Sequence, residues 1–133
     1  MKIYFSGSIA GGREKVNDYA KIVNELKKYG EILDKHVANP SFLSKNDPLS
    51  PEQIYKRDVN WIDECDTVFA EVTVPSLGVG YELAYAESKN KRIICMYEEE
   101  KNISKMITGN MNFIQIPYAN VDELISKIHE IMK

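Results

Sequence analysis

Thr67-Val68-Phe69-Ala70-Glu71-Val72 runs into Thr73-Val74-Pro75-Ser76-Leu77-Gly78-Val79-Gly80-Tyr81-Glu82-Leu83, followed by Ala84-Tyr85-Ala86-Glu87. The first segment is short and almost wholly apolar, as a strand covered on both faces must be. Its spacing predicts a strand over Thr67–Val72 and a helix over Val79–Lys89. Ser76 and Gly78 then fall on a strand-to-helix turn, where free backbone N–H groups can hold an anion. Glu82 lies about one turn in, where the helix dipole favours an ionised carboxylate. A phosphate cradle beside a charged carboxylate suggests a phosphorylated small molecule as the ligand.

Outward from this stretch, short apolar runs alternate with amphipathic ones. Lys2–Ser6 reads as a first strand, and Glu14–Tyr29 as a helix stopped by Gly30. Glu31–Leu33 is a second strand, expected to extend toward Val37. Ala38–Ser50, with Pro40 and Pro48, reads as an irregular loop. Ser50 as N-cap, Pro51 at the first position and Gln53 in capping-box position predict a helix running to about Glu64. Arg92–Tyr97 is a fourth strand, Ile103–Ile107 a short helix closed by Gly109, Phe113–Ile116 a fifth strand and Val121–Met132 a terminal helix. This alternation predicts an α/β domain spanning residues 1–133: a doubly wound, flavodoxin-like or Rossmann-like parallel sheet of five strands, order 2-1-3-4-5, with helices on both faces. The ligand is expected at the carboxyl ends of strands 1 and 3, where the order reverses.

Bulk properties narrow the function. The 133 residues suit one core, and 44% hydrophobic with 28% charged residues is ordinary globular composition. A net charge of −3 offers no basic surface, so no nucleic-acid polymer is expected as a partner. No apolar run reaches the roughly 20 residues of a membrane helix, and Met1–Phe5 enters a strand pattern directly, without a signal peptide. Cys65 and Cys95 sit in apolar surroundings and read as buried thiols of a reducing, cytoplasmic compartment.

Three groups of residues could carry chemistry. The loop Tyr4-Phe5-Ser6-Gly7-Ser8-Ile9-Ala10-Gly11-Gly12-Arg13 offers backbone that can approach a phosphate closely, with hydroxyl donors on Ser6 and Ser8. It lacks the Lys-Ser/Thr ending of a P-loop and the spaced glycines of a dinucleotide fingerprint. Asp58 lies mid-helix in Arg57-Asp58-Val59-Asn60-Trp61, and such a residue is commonly just solvated. Glu82 has Tyr81 and Tyr85 beside it. His36 follows the second strand, near the expected strand ends. Its one fellow histidine, His129, is on the terminal helix, so no metal site is expected. No Ser-His-Asp pattern argues for acyl transfer, and Glu98-Glu99-Glu100-Lys101 reads as a solvated loop.

Taken together, Tyr4–Arg13, Ala70–Leu83 and Asn90-Lys91-Arg92-Ile93-Ile94-Cys95 resemble the 2′-deoxynucleoside 5′-phosphate N-hydrolase family of the nucleoside 2-deoxyribosyltransferase superfamily. Lys35-His36-Val37-Ala38 and Asp58-Val59-Asn60-Trp61 also fit. The resemblance implies hydrolysis of the N-glycosidic bond of deoxynucleoside monophosphates without a cofactor. Carried over residue by residue, it implies Glu82 as nucleophile, Asp58 as general acid at the departing base, Tyr4 orienting Glu82, and His36 on the base side. It also implies Gly7, Ser8, Ile9, Ala10, Gly11, Gly12, Arg13, Ser76 and Gly78 around sugar and phosphate. Ser104-Lys105-Met106 matches a segment that reaches the partner's site in a homodimer, with Ser104 on the phosphate and Met106 among the substrate-binding residues. Where the family usually carries Arg, this chain has Ala10. Arg13 or Lys105 could supply the missing charge.

Such roles ask for different environments at the two carboxylates. Glu82 is expected to be ionised by the helix dipole. Asp58 is expected in an apolar setting or beside a negative charge, with Trp61 and the bound phosphate helping to supply these. Two other functions are the alternatives: a deoxyribosyltransferase acting on unphosphorylated nucleosides, ranked second because Ser76, Ser104 and the glycine loop favour a phosphate, and a non-catalytic nucleotide-binding module. A receiver-type domain would want clustered acids after strands 1 and 3, where this chain has Ser6-Gly7-Ser8 and Thr73-Val74-Pro75.

Overall fold

Among the described residues, five short strands form one parallel sheet, β1 (Lys2–Gly7), β2 (Glu31–Ile32), β3 (Thr67–Glu71), β4 (Arg92–Glu98) and β5 (Ile114–Tyr118), in the order β2-β1-β3-β4-β5. The computed structural model describes residues 1–9, 15–39 and 47–133. Among the described residues, α1 (Val16–Leu26), α2 (Pro51–Glu64), α3 (Leu77–Ser88) and α4 (Lys105–Thr108) connect the strands, and α5 (Val121–Met132) follows β5. Strand order and helix alternation are as the pattern predicts.

Alternation along each strand assigns side chains to the two faces. Ile3, Phe5, Phe69, Ile94 and Met96 pack under α1 and α5 with Tyr19, Ile22, Leu26, Leu124 and Ile128. Tyr4, Val68, Ala70, Ile93 and Cys95 pack on the other face with Ile62 of α2 and Val79, Leu83 and Ala86 of α3. Register places Tyr4 beside Val68, Ser6 beside Ala70 and Gly7 beside Glu71. Tyr4 and Ser6 therefore project to the side covered by α2 and α3. Burial of each large core side chain stabilises the fold by about 1.5–3 kcal/mol.

Several boundaries differ from the sequence pattern for physical reasons. β2 ends at Ile32 and residues Lys35–Ala38 form a 3-10 turn, so the strand does not reach Val37. Asp34 explains the stop: its side chain, in place of a backbone carbonyl, accepts the Phe5 N–H at 2.9 Å. The α3 helix begins at Leu77, two residues before the predicted start, because Ser76 caps it by accepting the Val79 N–H at 3.3 Å. Glu98 belongs to β4 and pairs with Lys15 at 3.0 Å, so it is not part of a solvated loop. The capping box at Ser50 and Gln53 forms as predicted, with both reciprocal bonds present. Gly7 must be glycine in this packing: a Cβ there would lie 2.9 Å from the Tyr19 ring, whose hydroxyl accepts the Ser8 N–H at 2.9 Å.

Candidate active site

The switch point between β1 and β3 brings together residues far apart in sequence. Tyr4 and Ser6, two apart on β1, point at the same carboxylate. Tyr4 Oη donates to Glu82 Oε2 at 2.5 Å, and Ser6 Oγ donates to Glu82 Oε1 at 2.7 Å. Both oxygens of Glu82 are thus held by hydroxyls from the sheet. Burial pushes the Glu82 carboxyl up to about 7; the hydrogen bonds from Tyr4 and Ser6 oppose the rise, Asp58 adds to it and Arg57 opposes it. Glu82 lies beyond the first turn of α3, and no dipole contact holds it as the sequence suggested. The enclosing packing and the two hydroxyls set its charge. Burial, followed by the nearby charge of Glu82, raises the Tyr4 phenol well above its ordinary value, so Tyr4 stays a donor.

Asp58 reaches the same pocket from α2. A cavity of about 150 Å³ is lined by Tyr55, Asp58, Val59 and Ile62 of α2 and by Gly78, Tyr81 and Glu82 of α3. Tyr55, Asp58, Val59 and Ile62 form one helical stripe, so the Asp58 side chain is delivered by the 3.6-residue period. Its immediate partner is not an apolar wall: Arg57 Nε donates to Asp58 Oδ1 at 2.9 Å. Trp61 lies under the Arg57 guanidinium, 4.9 Å from ring centroid to Cζ, and so backs the arginine. The His36 ring packs against Trp61 in a tilted arrangement, its centroid 5.7 Å from that of Trp61.

A larger groove of about 510 Å³ adjoins this pocket through Gly78. Val74, Pro75, Ser76 and Gly78 line one wall; Asn102, Ser104 and Ile107 line the other. Ser104 caps the short α4 helix by accepting the Met106 N–H at 3.3 Å and lies outside the Asp58–Glu82 pocket. Leu77 and Met106 are 97% and 85% exposed. On the opposite loop, Ser8 is fully buried, and its Oγ has no hydrogen-bond partner among the described residues. Ile9 packs partly buried against the core. Ala10, Gly11, Gly12 and Arg13 lie outside the described residues. Among the described residues, no group of acidic, histidine and cysteine side chains could hold a metal ion, and no helix is long and apolar enough to cross a membrane.

Some residues of this region were not singled out from sequence. Ser6 donates to Glu82 rather than to a ligand, and its two-residue spacing from Tyr4 on one strand is the sequence signal for that role. Arg57 carried no signal beyond its adjacency to Asp58. Glu71 is fully buried at the end of β3, where it accepts the Thr73 N–H and Oγ at 2.8 Å each and the Tyr118 hydroxyl. Lys15 Nζ approaches it at 4.0 Å. This cluster ties the turn leading to Ser76 to the segment that follows the Gly7–Arg13 loop.

A parallel α/β sheet with paired carboxylates at its switch point defines a class of small-ligand enzyme-like sites. The model of the nucleoside 2-deoxyribosyltransferase family matches residues 3–123, and the chain belongs to that family. It is 46% identical over 112 residues to the 5-hydroxymethyl-dUMP N-hydrolase of Danio rerio, covering 82% of this chain and 78% of the relative. It is 40% identical over 126 residues to a protein of Syntrophotalea carbinolica provisionally named 2′-deoxynucleoside 5′-phosphate N-hydrolase 1, covering 93% and 89%. The structure of Clostridium botulinum CMP N-glycosidase shares the fold, with a TM-score of 0.76 at 24% identity over 98% of this chain and 99% of that one.

Proposed function

We propose that this protein hydrolyses the N-glycosidic bond of 2′-deoxynucleoside 5′-monophosphates, releasing a free base and 2-deoxyribose 5-phosphate. The observation that carries this reading is the Glu82 carboxylate, held through both oxygens by Tyr4 and Ser6 in the pocket that Asp58 enters. The names of the relatives, N-hydrolases of deoxynucleoside monophosphates, support the substrate class.

In the first step an ionised Glu82 oxygen bonds to C1′ as the C1′–N bond breaks. The bond's electron pair goes to the base nitrogen, which takes a proton from Asp58. The transition state carries oxocarbenium-like positive charge, which the close carboxylate stabilises. In the second step water attacks C1′, Asp58 takes its proton, and Glu82 leaves as a carboxylate. Tyr4 and Ser6 orient Glu82 in both steps. With Glu82 raised to about 7 by burial, the nucleophile changes charge near neutral pH.

The phosphate is assigned to the groove bearing Ser76, Gly78 and Ser104, with the buried Ser8 hydroxyl on the sugar side. Gly7, Ile9, Ala10, Gly11, Gly12 and Arg13 complete this loop, and His36 borders the base. The family resemblance, rather than the groove that Ser104 lines in its own chain, is what assigns it to a partner's site. The exposed Leu77 and Met106 at the same place suit a homodimer contact in which Met106 crosses the interface. Buried free Cys65 and Cys95 fit a reducing cytoplasm. The test is product analysis on the four common deoxynucleoside monophosphates beside their ribose and dephosphorylated forms. The reading expects base release from the deoxy monophosphates and its loss in Glu82→Ala. Transfer of deoxyribose to an added base at the expense of hydrolysis would overturn it.

A further inference from the structure

Arg57 is held by three separate contacts. Its Nε donates to Asp58 Oδ1 at 2.9 Å, its Nη1 donates to Asp47 Oδ2 at 3.1 Å, and its guanidinium lies on Trp61. Adjacent helical residues point about 100° apart, so an arginine does not meet the next residue's carboxylate by helical geometry alone. It must turn back along α2, and Asp47 and Trp61 hold it in that posture. Asp47 is almost fully enclosed, with its side chain 4% exposed, while Arg57 and Asp58 are each 23% exposed. The pair is therefore at the pocket wall rather than in free solvent.

We propose that Arg57 is a positioning residue for the hydrolysis, aiming Asp58 into the pocket and supplying the counter-charge for the Asp58–Glu82 pair. The inference rests on the hydrolase reading. The groups gathered around the pair are predominantly acidic. Glu82 comes from α3, Asp34 from the end of β2, Asp47 from the segment before α2, and the phenol of Tyr4 from β1. Tyr55 and Tyr81 line the pocket, and His36 faces Trp61. Arg57 opposes the rise of Glu82 through space, while Asp58 adds to it. Removing the cation leaves acids facing acids, so Glu82 must hold its proton to higher pH.

The experiment compares the parent with Arg57→Gln and Arg57→Lys. It measures pH profiles of kcat and KM on the deoxynucleoside monophosphate turned over fastest, and titrates the Glu82 carboxyl by NMR after carboxyl-13C glutamate labelling, assigned with Glu82→Gln. In Arg57→Gln, kcat falls about tenfold with KM little changed. Its acid limb and the Glu82 resonance both move up by about half a pH unit or more. Arg57→Lys keeps the charge and the acid limb, but loses rate because an ammonium cannot bridge Asp47 and Asp58 as a planar fork does. A fall in kcat with neither the limb nor the Glu82 titration displaced would overturn the inference, as would an unchanged rate. The NMR titration does not need turnover. An inert parent with a displaced Glu82 titration in Arg57→Gln would sink the hydrolase reading alone. An active parent with no displacement would sink the role of Arg57 alone.

Discussion

Tyr4 and Glu82, 78 positions apart in the chain, meet at 2.5 Å across the interface of β1 and α3. Ser6 takes the other Glu82 oxygen from the same strand. Two hydroxyls two residues apart on a strand thus grip both oxygens of one carboxylate, and that grip opposes the proton affinity that burial creates.

Tyr4→Phe should leave the core intact and free one Glu82 oxygen. A hydrogen bond to a charged group contributes roughly 1.5–3 kcal/mol. The acid limb of kcat should therefore move up by about one to two pH units, with kcat at pH 7 falling about ten- to a hundredfold. Ser6→Ala should act in the same direction, and the double variant should be non-additive because both act on one carboxylate. An acid limb that stays in place in both single variants would rule out this grip as the control of Glu82.

Glu82→Gln should abolish base release while stabilising the fold near neutral pH. Glu82 is raised from its ordinary 4.5 to about 7. Between those values the unfolded chain binds fewer protons than the folded one, so its contribution is fully present below 4.5 and is lost as pH rises through about 7. The loss is at most on the order of 3 kcal/mol above pH 7. Urea unfolding at pH 5 and pH 8 should show Glu82→Gln gaining on the parent at pH 8 and much less at pH 5.

Glu71→Ala should be severely destabilising. It strips partners from the Thr73 N–H, the Thr73 hydroxyl and the Tyr118 hydroxyl in a fully buried place, and leaves Lys15 with less opposing charge. Such breakage costs about 3–5 kcal/mol. Chemical denaturation measures it; a change under 1 kcal/mol would mean the cluster does not hold the two loops.

Leu77→Asp or Met106→Asp should weaken self-association, read by sedimentation velocity, with activity lost in parallel. Mixing inactive Glu82→Gln with Ser104→Ala tests whether sites are shared. A mixed dimer would contain one site with an intact Glu82 and the partner's intact Ser104, so activity should return above that of either variant alone. Two variants that stay inert on mixing, though they form mixed dimers, would place Ser104 in its own protomer's site.

The sheet order was readable because each strand is a short apolar run and each helix has its own period, cap and stop. Ser50, Pro51 and Gln53 start α2 by contacts within one turn, and those contacts formed as written. Glu82 and Asp58 were also legible as candidates, the first by its place after a strand-to-helix turn. The state of Glu82 was not legible. A helix-dipole argument uses only α3, whereas the charge is set by burial and by hydroxyls on β1.

Local sequence determined the elements and their order, because periodicity and capping act over a few residues; it offered Glu82 as a candidate by its place after a turn and Asp58 by family resemblance. Only the tertiary structure decided what each carboxylate faces. Tyr4 and Ser6 reach Glu82 through strand register, and Asp34 replaces a missing stretch of β2 by accepting from Phe5, 29 residues away. Arg57 turns back onto Asp58 because Asp47 and Trp61 trap it. Those contacts depend on which faces pack together. Proton affinity in an enclosed pocket follows from that packing, through the solvent it removes and the charges it brings near.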